Sequence, residues 1–261
     1  MKTGRWLIAA SVADLLFLYL PIAILIVFSF NASRLSARWQ GFSLQWYAKL
    51  FTDQALLAAT VNSLIIAVAS TIFAGLLGVL TAVALERRPF RGQAAFEACL
   101  LLPIVIPEIM MGVAMLLFFV MIKLPLSLTT MTVAHTVFNF PVVALIVRAR
   151  LRKLDPRLEE AARDLGATPW IAFRRVTLPL LMPGIVGALL MAFTLSLDDF
   201  IISFFTAGVG STTLPIKVYG MLKSAVTPEV NALSAILVLV SMALVAAATW
   251  VQRRDVGSSQ T

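Results

Sequence analysis

Residues 155–179 read DPRLEEAARDLGATPWIAFRRVTLP, the longest charged interruption in a chain that is otherwise almost continuously apolar. Asp155 and Pro156 fit an N-cap followed by a first-turn proline, and Glu159 and Glu160 fall where the helix dipole favours anions. Leu158, Ala161, Ala162 and Leu165 recur at i, i+3, i+4 and i+7, which draws one apolar stripe along a short helix. Gly166 supplies a C′ stop, and Thr168-Pro169 restarts a second short helix carrying Trp170, Ile171 and Phe173. Two short amphipathic helices at a bend between long apolar spans need something to receive their apolar faces. A solvated loop folding back on its own membrane domain and a docking element for another protein satisfy the pattern equally.

Working outward, the composition excludes a water-soluble domain. The chain has 261 residues, of which 60% are hydrophobic and 13% charged, against about 25% charged in ordinary soluble domains. Its mean hydropathy is +0.95. Uncharged runs of this length predict transmembrane helices, because only helices and closed barrels satisfy backbone groups in lipid. Barrel strands would alternate apolar and polar residues over about ten positions, which these runs do not do. Cys99 is the single cysteine, so no internal disulfide exists.

Taken in order, residues 15–33 form a first span after Lys2 and Arg5, too long and without the cleavage site of a signal peptide. An outer segment, 34–53, carries Trp39, Trp46 and Tyr47, aromatics suited to a membrane interface. Further spans are expected within 54–85, over 96–122 with Pro103, Pro107 and Glu108 inside, over 127–147 with a bend at Pro141, over 178–206, and over 230–251. The fold class is therefore an all-α membrane protein of six transmembrane helices. Residues 1–256 form a single domain, and 257–261 a disordered tail. With the N-terminus inside, fifteen Lys and Arg fall on inner segments and six on outer ones. The positive-inside rule then places both termini and the 155–179 loop in the cytoplasm. Topology and anionic lipid account for the net charge of +8 without nucleic acid.

Catalytic motifs are absent from the sequence. No G-x-x-x-x-G-K-[ST] occurs, so the chain is not its own P-loop ATPase, and no H-E-x-x-H occurs. His135 is the single histidine, and a lone histidine in a span reads first as a satisfied helix contact. A membrane-embedded enzyme would need converging reactive side chains; a non-transporting scaffold would need no intramembrane acids.

Glu160-Ala161-Ala162, three residues, Gly166, nine residues and Val176-Thr177-Leu178-Pro179 together resemble the EAA loop of the membrane permeases of bacterial ABC importers. Val176 stands where the family pattern has Ile or a similar residue. Residues 195–240 are similar to polyamine importers, specifically to the second permease of spermidine/putrescine systems. The marks are Ser196-Leu197-Asp198-Asp199-Phe200, Thr213-Leu214-Pro215 and Pro228-Glu229-Val230-Asn231-Ala232-Leu233. Ser43-Leu44-Gln45-Trp46-Tyr47 and Asn62-Ser63-Leu64 fit as well.

The resemblance implies a type I importer permease in the bacterial inner membrane, its loop a coupling helix docked on a cytoplasmic ATPase. The implied docking residues are Leu158, Glu160, Ala161, Ala162, Leu165 and Gly166. The implied partners are a second permease, an ABC ATPase dimer that binds ATP-Mg, an extracytoplasmic substrate-binding protein and a polyamine. Outer residues 207–229 and 39–51 would meet the binding protein. No cofactor or metal is implied in the chain itself. Permeases for iron, thiamine or phosphonate share the loop and remain the alternative.

Four acids lie outside the loops: Asp14, Glu108, Asp198 and Asp199. An ionised acid at mid-bilayer costs at least about 2.5 kcal/mol, which argues for pairing or for a polar path. Asp14 fits pairing. Asp198 and Asp199 point about 100° apart on a helix, so one is expected on the path and the other as its brace or against the partner permease. Glu108, Ser196 and the ring of Trp46 complete the candidate path for an extended polycation.

Overall fold

A computed structural model describes residues 3–33, 38–87, 90–224 and 227–257. Among them every regular element is a helix, apart from an isolated bridge between Asn31 and Phe42. The helices are α1 (Thr3–Phe28), α2 (Gln45–Leu50), α3 (Gln54–Arg87), α4 (Gln93–Val105), α5 (Glu108–Met121) and α6 (Leu128–Leu151). They continue with α7 (Arg157–Asp164), α8 (Pro169–Ala172), a π-helical turn (Phe173–Thr177), α9 (Leu178–Asp198), α10 (Ile201–Thr206), α11 (Leu214–Ser224) and α12 (Pro228–Gly257).

Among the described residues four helices are long and apolar enough to cross a membrane: Trp6–Phe28, Gln54–Arg87, Leu128–Leu151 and Pro169–Asp198. Helices α4 and α5 make a fifth if the pair is one span. The apolar stretch Pro228–Met242 of α12 is shorter.

Three expected boundaries are corrected. The first span ends at Phe28 rather than residue 33, because Ser29 and Phe30 turn the chain into a loop. The third is two helices bent by 106°. Its cause is local: Ile106, held extended at φ −67 and ψ 133, precedes Pro107, which excludes the helical region there. The fifth span stops at Asp198, since Asp199 is extended at φ −66 and ψ 123, and α10 restarts beyond it. By contrast α6 runs through Pro141 without a break. The short helix expected after Thr168 is also not separate, for it continues through the π turn into α9. The expected tail falls almost wholly outside the described residues.

The chain divides into two compact units, residues 1–57 with 217–247, and residues 58–216 with 248–261. In the first, the loop after α1 is organised by Asn31. Its side-chain oxygen accepts from the Gln40 amide at 2.9 Å, its Nδ2 donates to the Arg38 carbonyl at 2.7 Å, and its own carbonyl accepts from Trp46 Nε1 at 2.7 Å. Phe30 stacks on Phe42 with centroids 5.2 Å apart. Lys49 pairs with Glu229.

In the second unit, α3, α6 and α9 share a core of Ala74, Ala82, Val143, Val147, Leu181, Ile185, Ala188 and Ala192. Small residues set how closely these helices approach, as membrane helices without a strong hydrophobic drive between them require. A Cβ at Gly75 would collide with Leu189, and one at Gly78 would meet Val143 at 2.7 Å. Gly112 of α5 likewise makes room for Phe205 of α10.

Candidate functional site

The break between α9 and α10 holds a buried polar cluster of the second unit. Asp199 is buried, and its carboxylate accepts the Ile202 and Ser203 amides at 3.2 and 2.7 Å, capping the short helix that follows. His135, one per cent exposed on α6, stands against it. Its Nε2 lies 3.2 Å from Asp199 Oδ2 and 3.0 Å from Ser203 Oγ, and its Nδ1 lies 2.7 Å from Ser196 Oγ. Ser196 Oγ in turn shares a hydrogen bond of 3.0 Å with Ser70 of α3. Buried polar groups are costly unless paired, and here the pairing draws on four elements.

The structure separates the two adjacent acids. Asp198 ends α9 exposed, whereas Asp199 is enclosed. Glu108 opens α5 immediately after the bend at Pro107, half-buried, with its carboxyl beside Asp199. Glu108, Asp198, Asp199 and Ser196 are thus gathered in one unit, around the ends of α5, α9 and α10. Trp46 belongs to the other unit and is buried, with its N–H bonded to Asn31 and the ammonium of Lys49 5.8 Å from its ring centroid. Its ring face therefore already meets a cation of its own chain. Asp14 is exposed on α1 and takes no part in the cluster.

The loop is built on opposite terms. Thr168 Oγ1 accepts the Ile171 amide at 3.4 Å, the expected cap. By contrast α7 starts one residue later than expected, at Arg157 with Pro156 in the N-cap position, and Asp155 Oδ1 accepts the Arg157 amide at 3.0 Å just ahead of it. Gly166 takes φ +90, the left-handed value that ends α7. Leu165 is 90% exposed and Trp170 65%, and Leu158, Ala161, Glu160 and Ile171 are exposed as well; Ala162 is half-buried. The stripe thus faces outward, away from the rest of its unit.

Arg87, the last residue of α3, holds the loop from behind. Its Nη2 donates to Glu159 Oε2 at 2.5 Å and to Thr177 Oγ1 at 3.4 Å, while Thr177 donates to the same Glu159 oxygen at 2.7 Å. The guanidinium also sits 4.9 Å from the Phe173 ring centroid. Beside it, Glu86 accepts from Arg148 at 3.1 Å and Arg152 at 2.9 Å, and Arg148 reaches Glu97 at 2.8 Å. A cavity of about 310 Å³ opens here between Glu86, Arg87, Arg152, Asp155, Glu159 and Thr177.

Residues 74–254 match the family described as binding-protein-dependent transport system inner membrane component. This chain belongs to that family. It is a membrane permease, and the permease is 42% identical to the spermidine/putrescine transport system permease protein PotC of Escherichia coli K12. That match covers 91% of this chain and 90% of the relative. It is 40% identical to the putrescine transport system permease protein PotI of the same organism, over 94% of this chain and 89% of that one. Among solved structures it resembles a bacterial ABC transporter involved in the import of the acidic polysaccharide alginate. The TM-score is 0.74 at 17% identity, over 97% of this chain and 96% of the other, a likeness of fold. The all-helical, multi-pass architecture of the permease agrees with each.

Sequence reasoning missed two parts of the permease. His135 meets Ser196 and Ser203 from 61 and 68 positions away, and Arg87 meets Glu159 from 72, separations that carry no local signal. The Lys49–Trp46 contact was findable, since three residues apart on a helix are neighbours.

Proposed function

We infer that the permease is one of a pair in an ATP-driven importer of the bacterial inner membrane, and that it passes a polyamine of the spermidine or putrescine kind to the cytoplasm. The observation that carries this is the 42% identity to PotC over 91% of the chain. The exposure of Asp198 at the end of an apolar helix supports it, because an unpaired acid there has a use in meeting a cation. In this reading Asp198 and Glu108 meet the cargo, and Asp199, Ser196 and His135 brace the break beside them. Buried Trp46 serves the outer segment.

Six spans count the four long helices, the bent pair α4–α5 and the shorter apolar stretch Pro228–Met242, and fifteen inner against six outer basic residues support both termini and the loop in the cytoplasm. The outward apolar stripe of Leu158, Ala161 and Leu165 enters a groove of an ABC ATPase dimer, the helix-in-groove mode. That partner binds ATP-Mg, as this sequence has no P-loop. A substrate-binding protein delivers cargo at residues 39–51 and 207–229. The test is uptake of labelled putrescine and spermidine by the assembled importer, with competition by thiamine, ferric iron and aminoethylphosphonate. Uptake of one of these instead of a polyamine would replace the cargo while leaving the permease reading intact.

A further inference from the structure

His135 touches both sides of the α9–α10 break with one ring. Nδ1 is taken by Ser196, in the last turn of α9, at 2.7 Å. Nε2 is taken by Ser203, in the first turn of α10, at 3.0 Å, with Asp199 Oδ2 at 3.2 Å. Between these contacts the helix is interrupted at the non-helical pair Asp199-Phe200, so its angle is set by what bridges the joint: the His135 ring, and the packing of Ile202 on Phe119 and Ala134. An imidazole is rigid, and its two nitrogens diverge; a group bonded at both fixes the separation and the angle of what it bonds. The ring itself is fixed by α6, where Ala134 packs with Phe119 and Ile202.

We propose that His135 is a positioning residue: it staples α9 to α10 and thereby sets the direction in which Asp198, the last residue of α9, is presented. This rests on the reading of Asp198 as the cation-facing acid. The staple also keeps the neighbouring Asp199 committed to Ser203 and the α10 amides, so the cargo meets one acid of the adjacent pair rather than two. Removing the ring frees Asp199 to compete with Asp198 and lets the joint swing.

The test uses the complete importer in vesicles, measuring labelled spermidine uptake and ATP hydrolysis stimulated by the loaded binding protein. The amide of Asn reaches about as far as Nδ1, and that of Gln about as far as Nε2. His135→Asn is expected to cut uptake about tenfold, equivalent to about 1.4 kcal/mol, while stimulated hydrolysis stays within about twofold. His135→Gln, which keeps the Ser203 and Asp199 arm, recovers most of the uptake. In an Asp199→Asn background His135→Asn adds nothing further, because the two act as a unit.

A merely structural histidine would lower uptake and hydrolysis together, or add to Asp199→Asn, and either result overturns the proposal. So does normal uptake in His135→Asn. Should that variant fail to assemble, Ser203→Ala removes one arm alone; an unchanged ratio of hydrolysis to uptake in it overturns the proposal as well. Asp198→Asn is run alongside. If it leaves uptake untouched, the cargo reading fails whatever His135 does; if it cuts uptake while His135→Asn does not, only the staple fails.

Discussion

The α9–α10 joint and the 155–179 loop each break the rule of the solvent they sit in, in opposite directions. The joint lies among apolar spans yet collects a carboxylate, an imidazole and three hydroxyls, all enclosed and all bonded. The loop carries the densest charge in the sequence yet turns Leu165 and Trp170 outward. Satisfied polar groups inside indicate a device completed within the chain. Exposed apolar groups outside indicate one that another protein completes.

The comparison is broken most directly at Asp199. Asp199→Ala leaves His135 and two α10 amides without their acceptor, and each buried donor left unsatisfied costs about 1–3 kcal/mol. The variant is expected to lose folded protein from the membrane, measured by thermal unfolding in detergent. Asp199→Asn, keeping one oxygen, is expected to lie between it and the native chain. A native melting profile for Asp199→Ala would mean the joint is not self-completed.

At the loop the expectation reverses. Leu165→Asp alters a side chain with almost no contacts of its own, so melting stays native. Recovery of the partner ATPase in co-purification falls roughly thirtyfold, the size of an interface anchor worth about 2 kcal/mol. Loss of folding without loss of the ATPase would invert the contrast.

Asp198→Asn separates the two halves of the adjacent acid pair. Its charge is exposed, so the folded protein persists while polyamine uptake drops about tenfold, a loss of about 1.4 kcal/mol at the path. Equal melting defects in Asp198→Asn and Asp199→Asn would erase the distinction.

The smallest effect belongs to Arg87. Its pair with Glu159 is partly exposed, with 31% and 24% of the two side chains accessible, and pairs of this kind contribute about 1 kcal/mol or less. Arg87→Glu is expected to raise ATP hydrolysed per molecule imported by a few fold, by loosening the loop from α3. The exchange Arg87→Glu with Glu159→Arg restores part of the ratio. No recovery on exchange would assign the effect to the Phe173 contact instead.

Much of this architecture was legible because it is written locally. Uncharged runs located the spans, and Gly166 and Thr168-Pro169 marked the loop's helix ends through signals that act within a few residues, while Asp155 marked the start of α7 one residue early. Whether a given proline bends its helix was beyond such reading. Ile106-Pro107 makes a bend of 106° with Ile106 extended, whereas Pro141 sits in an unbroken helix, so the same residue type marks a break in one span and none in another. Within the site, the adjacency of Asp198 and Asp199 revealed that they must face apart, yet not which faces inward. That depended on His135, a partner from another helix. Trp46 read as an open ring because its occupant, Lys49, has a flexible side chain whose placement the sequence does not state.

The two regions are also the two ends of one helix. Pro169–Asp198 is a continuous run of 30 residues, about 45 Å long at 1.5 Å per residue. It begins at the loop and ends at the acid, with the π turn at Phe173–Thr177 near its loop end. Such a run joins its two ends without a non-helical break. A tilt of about 5° around its midpoint carries each tip about 2 Å, given that length. The bond from His135 to Ser203 is 3.0 Å long and that to Ser196 2.7 Å. A ring bonded on both sides cannot follow a tip displaced so far, so the angle at which the loop is seated and the integrity of the joint are one mechanical variable.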